Sequence, residues 1–153
     1  MSKRNEFNEI TAQEANRLLQ LRKVDADPSK TYEMPGPEGG IVLVDLVAED
    51  ESEPERFVFH INKRRIVLTS TYQTRTKSGT VLARLDFDAG HRNPDGSKVG
   101  IPHLHYYVEG YGDHWATDKI DFLSDPNDPA AVISDFLRYC NVVKQPKIIP
   151  NLF

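Results

Sequence analysis

Four of the chain's five histidines, His91, His103, His105 and His114, fall within the 25 positions that end at Trp115. Successive side chains of a β-strand alternate between faces, so an extended stretch here would line up His103, His105, Tyr107 and Glu109 in one row. A neighbouring strand over Thr80–Asp88 would add Arg84 and Asp86 to the same polar face. Paired imidazoles suit proton transfer near neutral pH, one taking a proton while the other gives it, with a guanidinium to stabilise a pentavalent phosphate. Such a site cleaves RNA through its own 2′-hydroxyl and needs no metal or other cofactor. The candidate catalytic residues are therefore His103, His105, His91, Tyr107 and Glu109, with Arg65, Arg84 and Arg92 as phosphate-binding candidates. Tyr111 and Trp115 are candidates for stacking on single-stranded bases, the competing role for Trp115 being a plug at the end of the sheet.

Two other chemistries compete for the same histidines. The spacing His103-x-His105-x-x-x-Glu109 resembles the ligand spacing of the first cupin motif, so a metal, if one is held, would be held by these three. The flanking glycines of that motif and a later histidine ligand are missing. In the structural alternative the imidazoles bond loop carbonyls and Asp113 and steady the turn Gly110-Tyr111-Gly112.

The elements that must position these residues follow from periodicity. Thr11-Ala-Gln-Glu14 is a capping box, and Ala15, Leu18 and Leu19 continue at helical spacing, which predicts a helix over 11–24. Pro and Gly crowd 25–40, a loop. Strand character begins at Ile41-Val-Leu-Val-Asp-Leu-Val47 and returns at Phe57/Phe59/Ile61, Ile66–Leu68, Thr80–Asp88 and His103–Glu109. Asp128-Pro129 opens a second helix over 128–141, whose buried stripe includes Cys140. The expectation is an α+β fold: one domain over 1–153, with a meander of about five antiparallel strands over 41–109 and the N- and C-terminal helices packed on one face.

Charge and composition bound the function. Seven basic residues and no acidic one lie between Arg56 and Arg84, inside a chain of net charge −4. That segment makes a local field suited to phosphate. A hydrophobic fraction of 39% with 27% charged residues excludes a disordered or coiled-coil chain. The longest apolar run, Ile41–Ala48, is far short of a membrane span. One cysteine allows no internal disulfide, and Met1–Phe7 has no signal-like apolar stretch, so the expected location is the cytoplasm.

The runs His91-Arg-Asn-Pro-Asp-Gly96, Pro102-His-Leu-His105 and Glu109-Gly-Tyr-Gly-Asp-His-Trp-Ala116 resemble the signature of an uncharacterised family of small bacterial and phage proteins. The resemblance covers about residues 55–140 and brings no activity of its own. By analogy it implies a factor carried on a mobile element or used in phage–host conflict. The functional expectation is a metal-independent endoribonuclease of toxin type. Its rivals are a non-catalytic factor that binds a protein partner, as an antitoxin or a phage counter-defence inhibitor does, and a metal-binding protein.

Overall fold

The computed structural model describes residues 9–49, 51–52, 54–65 and 69–149. Helix α1, Ala12–Gln20, begins where Thr11 Oγ1 accepts the Glu14 amide at 3.0 Å. The second half of the capping box does not form, because Glu14 turns its carboxylate to Arg17 instead. Ala15 and Leu18 are its buried residues. The helix stops short of the expected residue 24 because Lys23–Asp25 is strand β1.

Next come β2 (Thr31–Glu33), β3 (Gly40–Ala48), β4 (Arg56–Lys63), β5 (Thr71–Thr76) and β6 (Val81–Asp86). A small hairpin follows, β7 (His91–Arg92) with β8 (Lys98–Val99), and then β9 (His103–Val108) and β10 (Gly112–Thr117). Helix α2, Pro129–Tyr139, is capped by Asp128, whose side chain accepts the Ala130 amide at 3.1 Å. The last strands are β11 (Val142–Lys144) and β12 (Lys147–Ile149).

Among the described residues the main sheet has eight strands in the order β10-β9-β6-β5-β4-β3-β1-β11, larger than the expected five. All its pairings are antiparallel except β1 with β11. β3 to β6 run as a meander, and β9 and β10 extend it after the β7–β8 hairpin. β2 and β12 form a separate parallel pair. The expected strand Ile66–Leu68 lies outside the described residues. The strand that follows β4 is Thr71–Thr76, a polar, β-branched segment that pairs with both β4 and β6.

Register separates the two faces. Val42, Ile61, Tyr72, Leu85 and Leu104 form one cross-strand row, and Val44, Phe59, Thr74 and Ala83 the next. These residues, except Thr74, belong to the core cluster with Ala15 and Leu18 of α1 and Val132, Ile133, Phe136 and Leu137 of α2. Phe59 stacks on Phe136 at a centroid distance of 6.0 Å. A register shift at Thr74/Arg75 breaks the alternation of β6, so Leu82, which strict alternation with Arg84 and Asp86 would turn to the polar face, is buried.

Both helices end on one clamp. The Lys23 ammonium, 0% exposed, donates to Leu19 O (2.8 Å), Leu21 O (3.0 Å) and Cys140 O (2.9 Å), taking carbonyls from the C-termini of α1 and α2 together. It lies 4.9 Å from the Phe57 ring centroid. Burial pulls this ammonium down to about 8. Cys140 beside it is fully buried, as expected of a small core hydrophobe, and burial pushes its thiol up to about 11.

Candidate functional site

The opposite face of the sheet carries two rows of a different kind. One runs Ile41–Asn62–Thr71–Asp86–His103, the other Leu43–His60–Gln73–Arg84–His105. Side chains paired across strands stand on the same face, so His103 and His105 share a face with Arg84 and Asp86, and that face reaches back over four neighbouring strands. A recess of about 330 Å³ lies on it, lined by His60, Gln73, Arg84 and Asp86 among others.

At the β9 end of these rows His91, His103 and His105 pack together, with ring centroids 5.6, 4.6 and 4.9 Å apart. His103 and His105 are each 1% exposed. Their hydrogen-bond partners fix the protons, because a carbonyl can only accept. His103 Nδ1 donates to Gly100 O (2.9 Å), His105 Nδ1 to Asp113 O (2.8 Å), and His91 Nε2 to His114 O (2.7 Å). His105 Nε2 accepts from the Arg84 guanidinium at 3.1 Å, and Arg84 also pairs with the Asp113 carboxylate at 2.9 Å. His103 Nε2 faces Asp86 Oδ2 at 3.7 Å. Burial first, and the Arg84 charge second, hold His105 down to about 4, a neutral ring at physiological pH.

The β7–β8 hairpin is the lid over this cluster, and Asn93 is its fastener. The Asn93 side chain donates to Ala116 O (3.0 Å) and accepts from Ala116 N (2.9 Å), completing the outer edge of β10 as a strand would. Asn93-Pro94-Asp95-Gly96 is the expected turn: Gly96 has φ +87° and its amide donates to Asn93 O at 2.8 Å.

Other expected site residues stand elsewhere. Tyr107 is engaged with Ile10, accepting from its amide (3.1 Å) and donating to its carbonyl (2.5 Å). Glu109 lies past the end of β9, where its carboxylate accepts the Ala12 amide at 2.8 Å in the first turn of α1. It is therefore not beside the two imidazoles; the carboxylate that groups with His103 and His105 is Asp86, all three offering ligand atoms within 4.8 Å of one another. Arg92 is exposed and bonds Gly96 O at 2.7 Å, and Arg65 is exposed after β4. Tyr111 is exposed and meets the half-buried Trp115 edge-on at 6.0 Å, near a separate cavity of about 340 Å³ that Tyr111 lines.

His60 and Arg75 are the residues sequence reasoning passed over. The Arg75 guanidinium donates to His60 Nδ1 at 2.6 Å, and burial, then this charge, holds His60 below its ordinary value. The signal was available: Phe57, Phe59 and Ile61 alternate inward, which turns His60 out onto the polar face.

These observations define an α+β protein whose mostly antiparallel sheet holds a buried imidazole cluster at the margin of an open polar face. Among the described residues, no helix is long and apolar enough to cross a membrane. Residues 10–142 match the model of a family of unknown function, DUF6978, and the chain belongs to that family, in accord with the resemblance to an uncharacterised one. No curated protein and no solved structure matches the chain.

Proposed function

We propose that this chain is a non-catalytic binding protein that takes a polypeptide partner on the open face of its sheet. The observation that supports this most is the fate of the basic segment. Lys63 reaches Gly36 O (2.7 Å), Arg64 pairs with Asp88 (3.4 Å), Arg75 with His60, Lys77 with Asp45 (3.9 Å) and Arg84 with Asp113. A phosphate backbone is held by positive charge that displaces counterions, whereas here Arg64, Lys77 and Arg84 are paired with carboxylates and Lys63 and Arg75 are tied to neutral groups of the fold. What the face offers instead is both signs of charge interleaved with amides and hydroxyls. Ile41 and Leu43, 59% and 52% exposed, stand at the β3 end of the same two rows. Branched apolar side chains beside a hydrogen-bonding surface of mixed charge suit a protein interface.

The histidines serve that face as its support. With Nδ1 of each inner ring tied to a carbonyl and His105 Nε2 taken by Arg84, the cluster and Asp113 hold the Arg84 guanidinium at the margin of the recess. An endoribonuclease would need one of these nitrogens at a 2′-hydroxyl, and both inner rings are covered. An antitoxin-like or phage–host factor acting in the cytoplasm is the partner class this reading carries.

Purified protein incubated with single-stranded and structured RNA, in chelator and then with divalent ions, is expected to leave the RNA intact and unbound. Ile41→Glu combined with Leu43→Glu, both at exposed positions of the face, is expected to abolish protein cross-links formed in the native host while the protein stays folded. Cleavage in chelator that disappears in folded His103→Ala and His105→Ala variants would overturn the reading in favour of the ribonuclease.

A further inference from the structure

Asp86, His103 and His105 come from two adjacent strands, β6 and β9, and present one carboxylate oxygen and two imidazole nitrogens within 4.8 Å of one another. We propose that these three side chains bind a divalent transition-metal ion of the zinc class, with Arg84 as the group the ion displaces. This goes beyond the partner-binding reading and does not depend on it.

The arrangement around the imidazoles is what a metal site requires. A ligating histidine commonly donates its other ring N–H to a backbone carbonyl, which fixes the tautomer and aims the lone pair. Both inner histidines do this, His103 through Gly100 O and His105 through Asp113 O, so both turn Nε2 toward the ion's position. The third donor, Asp86 Oδ2, is 3.7 Å from His103 Nε2, a separation that two ligands of one ion, each about 2.0–2.1 Å from it, readily span. Two nitrogens and one oxygen favour zinc, nickel or cobalt over calcium or magnesium, which take oxygen. The way in is from the recess on the open face, lined by Asp86 and Arg84, and it reaches the covered rings when Arg84 moves aside. A water completing the coordination would sit on that side.

Arg84 is the obstacle and also the source of the sharpest test. Its guanidinium occupies His105 Nε2 at 3.1 Å, and a cation there repels a second one. Its Nε is buried with no hydrogen-bond partner, so the side chain is incompletely satisfied in this pose. Swinging toward the recess gives up the His105 bond. An ion at this site therefore competes with Arg84, and removing the arginine must tighten binding.

The experiment is calorimetric titration of the full, chelator-treated chain with Zn²⁺, with Co²⁺ absorption as a report on ligand type. Wild type is expected to bind one ion per chain. Asp86→Asn and His103→Gln, which remove ligands outright, are expected to weaken binding by about 100-fold, the upper end of what losing a ligand's outer partner costs, and Arg84→Ala is expected to strengthen it. Asp86 is partly exposed and Asn preserves its shape, so this variant stays informative if a histidine variant fails to fold. Absence of binding in both wild type and Arg84→Ala overturns the proposal. So does binding that survives Asp86→Asn in a folded protein, or an Arg84→Ala variant that binds more weakly than wild type. RNA and cross-linking results leave this outcome untouched, so the two proposals fail separately.

Discussion

Acid should destabilise this fold through His105 specifically, and the size of the effect can be worked out. The ring is 1% exposed, Nδ1 is bound to Asp113 O, and a proton added to Nε2 would meet the Arg84 guanidinium 3.1 Å away. His91, His103 and Arg84 all face it with charge of the same sign when protonated, and burial adds to them. Its folded value of about 4 lies below the ordinary 6.5, so between these limits the unfolded chain takes up a proton that the native state refuses. The stabilisation is complete above pH 6.5 and drains as pH falls toward 4, at up to ~1.4 kcal/mol per pH unit. That amounts to about 2 kcal/mol by pH 5 and about 3 by pH 4. Urea unfolding at pH 7, 6 and 5, in chelator, for wild type and His105→Gln isolates the contribution of His105, since every other ionisable group is present in both proteins. Wild type is expected to lose about 2 kcal/mol more than the variant between pH 7 and 5. Parallel losses, whatever the variant's starting stability, would refute the reasoning.

Lys23→Met removes the donor shared by three carbonyls while keeping the side chain's length, and is expected to cost about 2 kcal/mol in urea unfolding. A more stable variant would mean that desolvating the ammonium outweighs its bonds. Asn93→Ala deletes both bonds to Ala116 and is expected to cost about 2 kcal/mol while opening the Ala116 amide to hydrogen exchange. Unchanged protection at Ala116 would show that the hairpin lid is held by other contacts.

How much of this was legible in the sequence depended on whether the signal was periodic. The branched apolar run Ile41–Val47 and the alternation through Phe57, Phe59 and Ile61 declared central strands, and Thr11 and Asp128 declared where the helices start. Three-residue strands have no period to read. β1 overlaps the end of the helix expected over 11–24, while β11 and β12 lie past the helix expected over 128–141, where periodicity predicts no element. β5 was missed because Thr71–Thr76 contains only one large apolar side chain, Tyr72, although its β-branched threonines fit a pleated surface. In the site, alternation alone aligned His103 and His105 with Arg84 and Asp86. It carried Glu109 along wrongly, because nothing local marks Val108 as the last strand residue. Which partners the imidazoles take could not be read, since Gly100 O and Asp113 O are set by how loops return to the sheet.

The pairing of β1 with β11 fixes an order of events during synthesis. Lys23 bonds a carbonyl 117 residues further along, at Cys140, and the free edge of β1 is covered only when Val142–Lys144 arrives. A nascent chain can close β3 through β6 from neighbouring hairpins well before that. Until α2 and β11 leave the ribosome, however, the chain displays an open strand edge, the apolar bed that receives Phe136, and a lysine with one of its acceptors missing. Such a state is what holdase chaperones capture and what edge-to-edge association exploits. A message truncated shortly before residue 142 therefore yields a product with its central meander formed and its edge unprotected, a substrate for proteolysis rather than a smaller version of the fold.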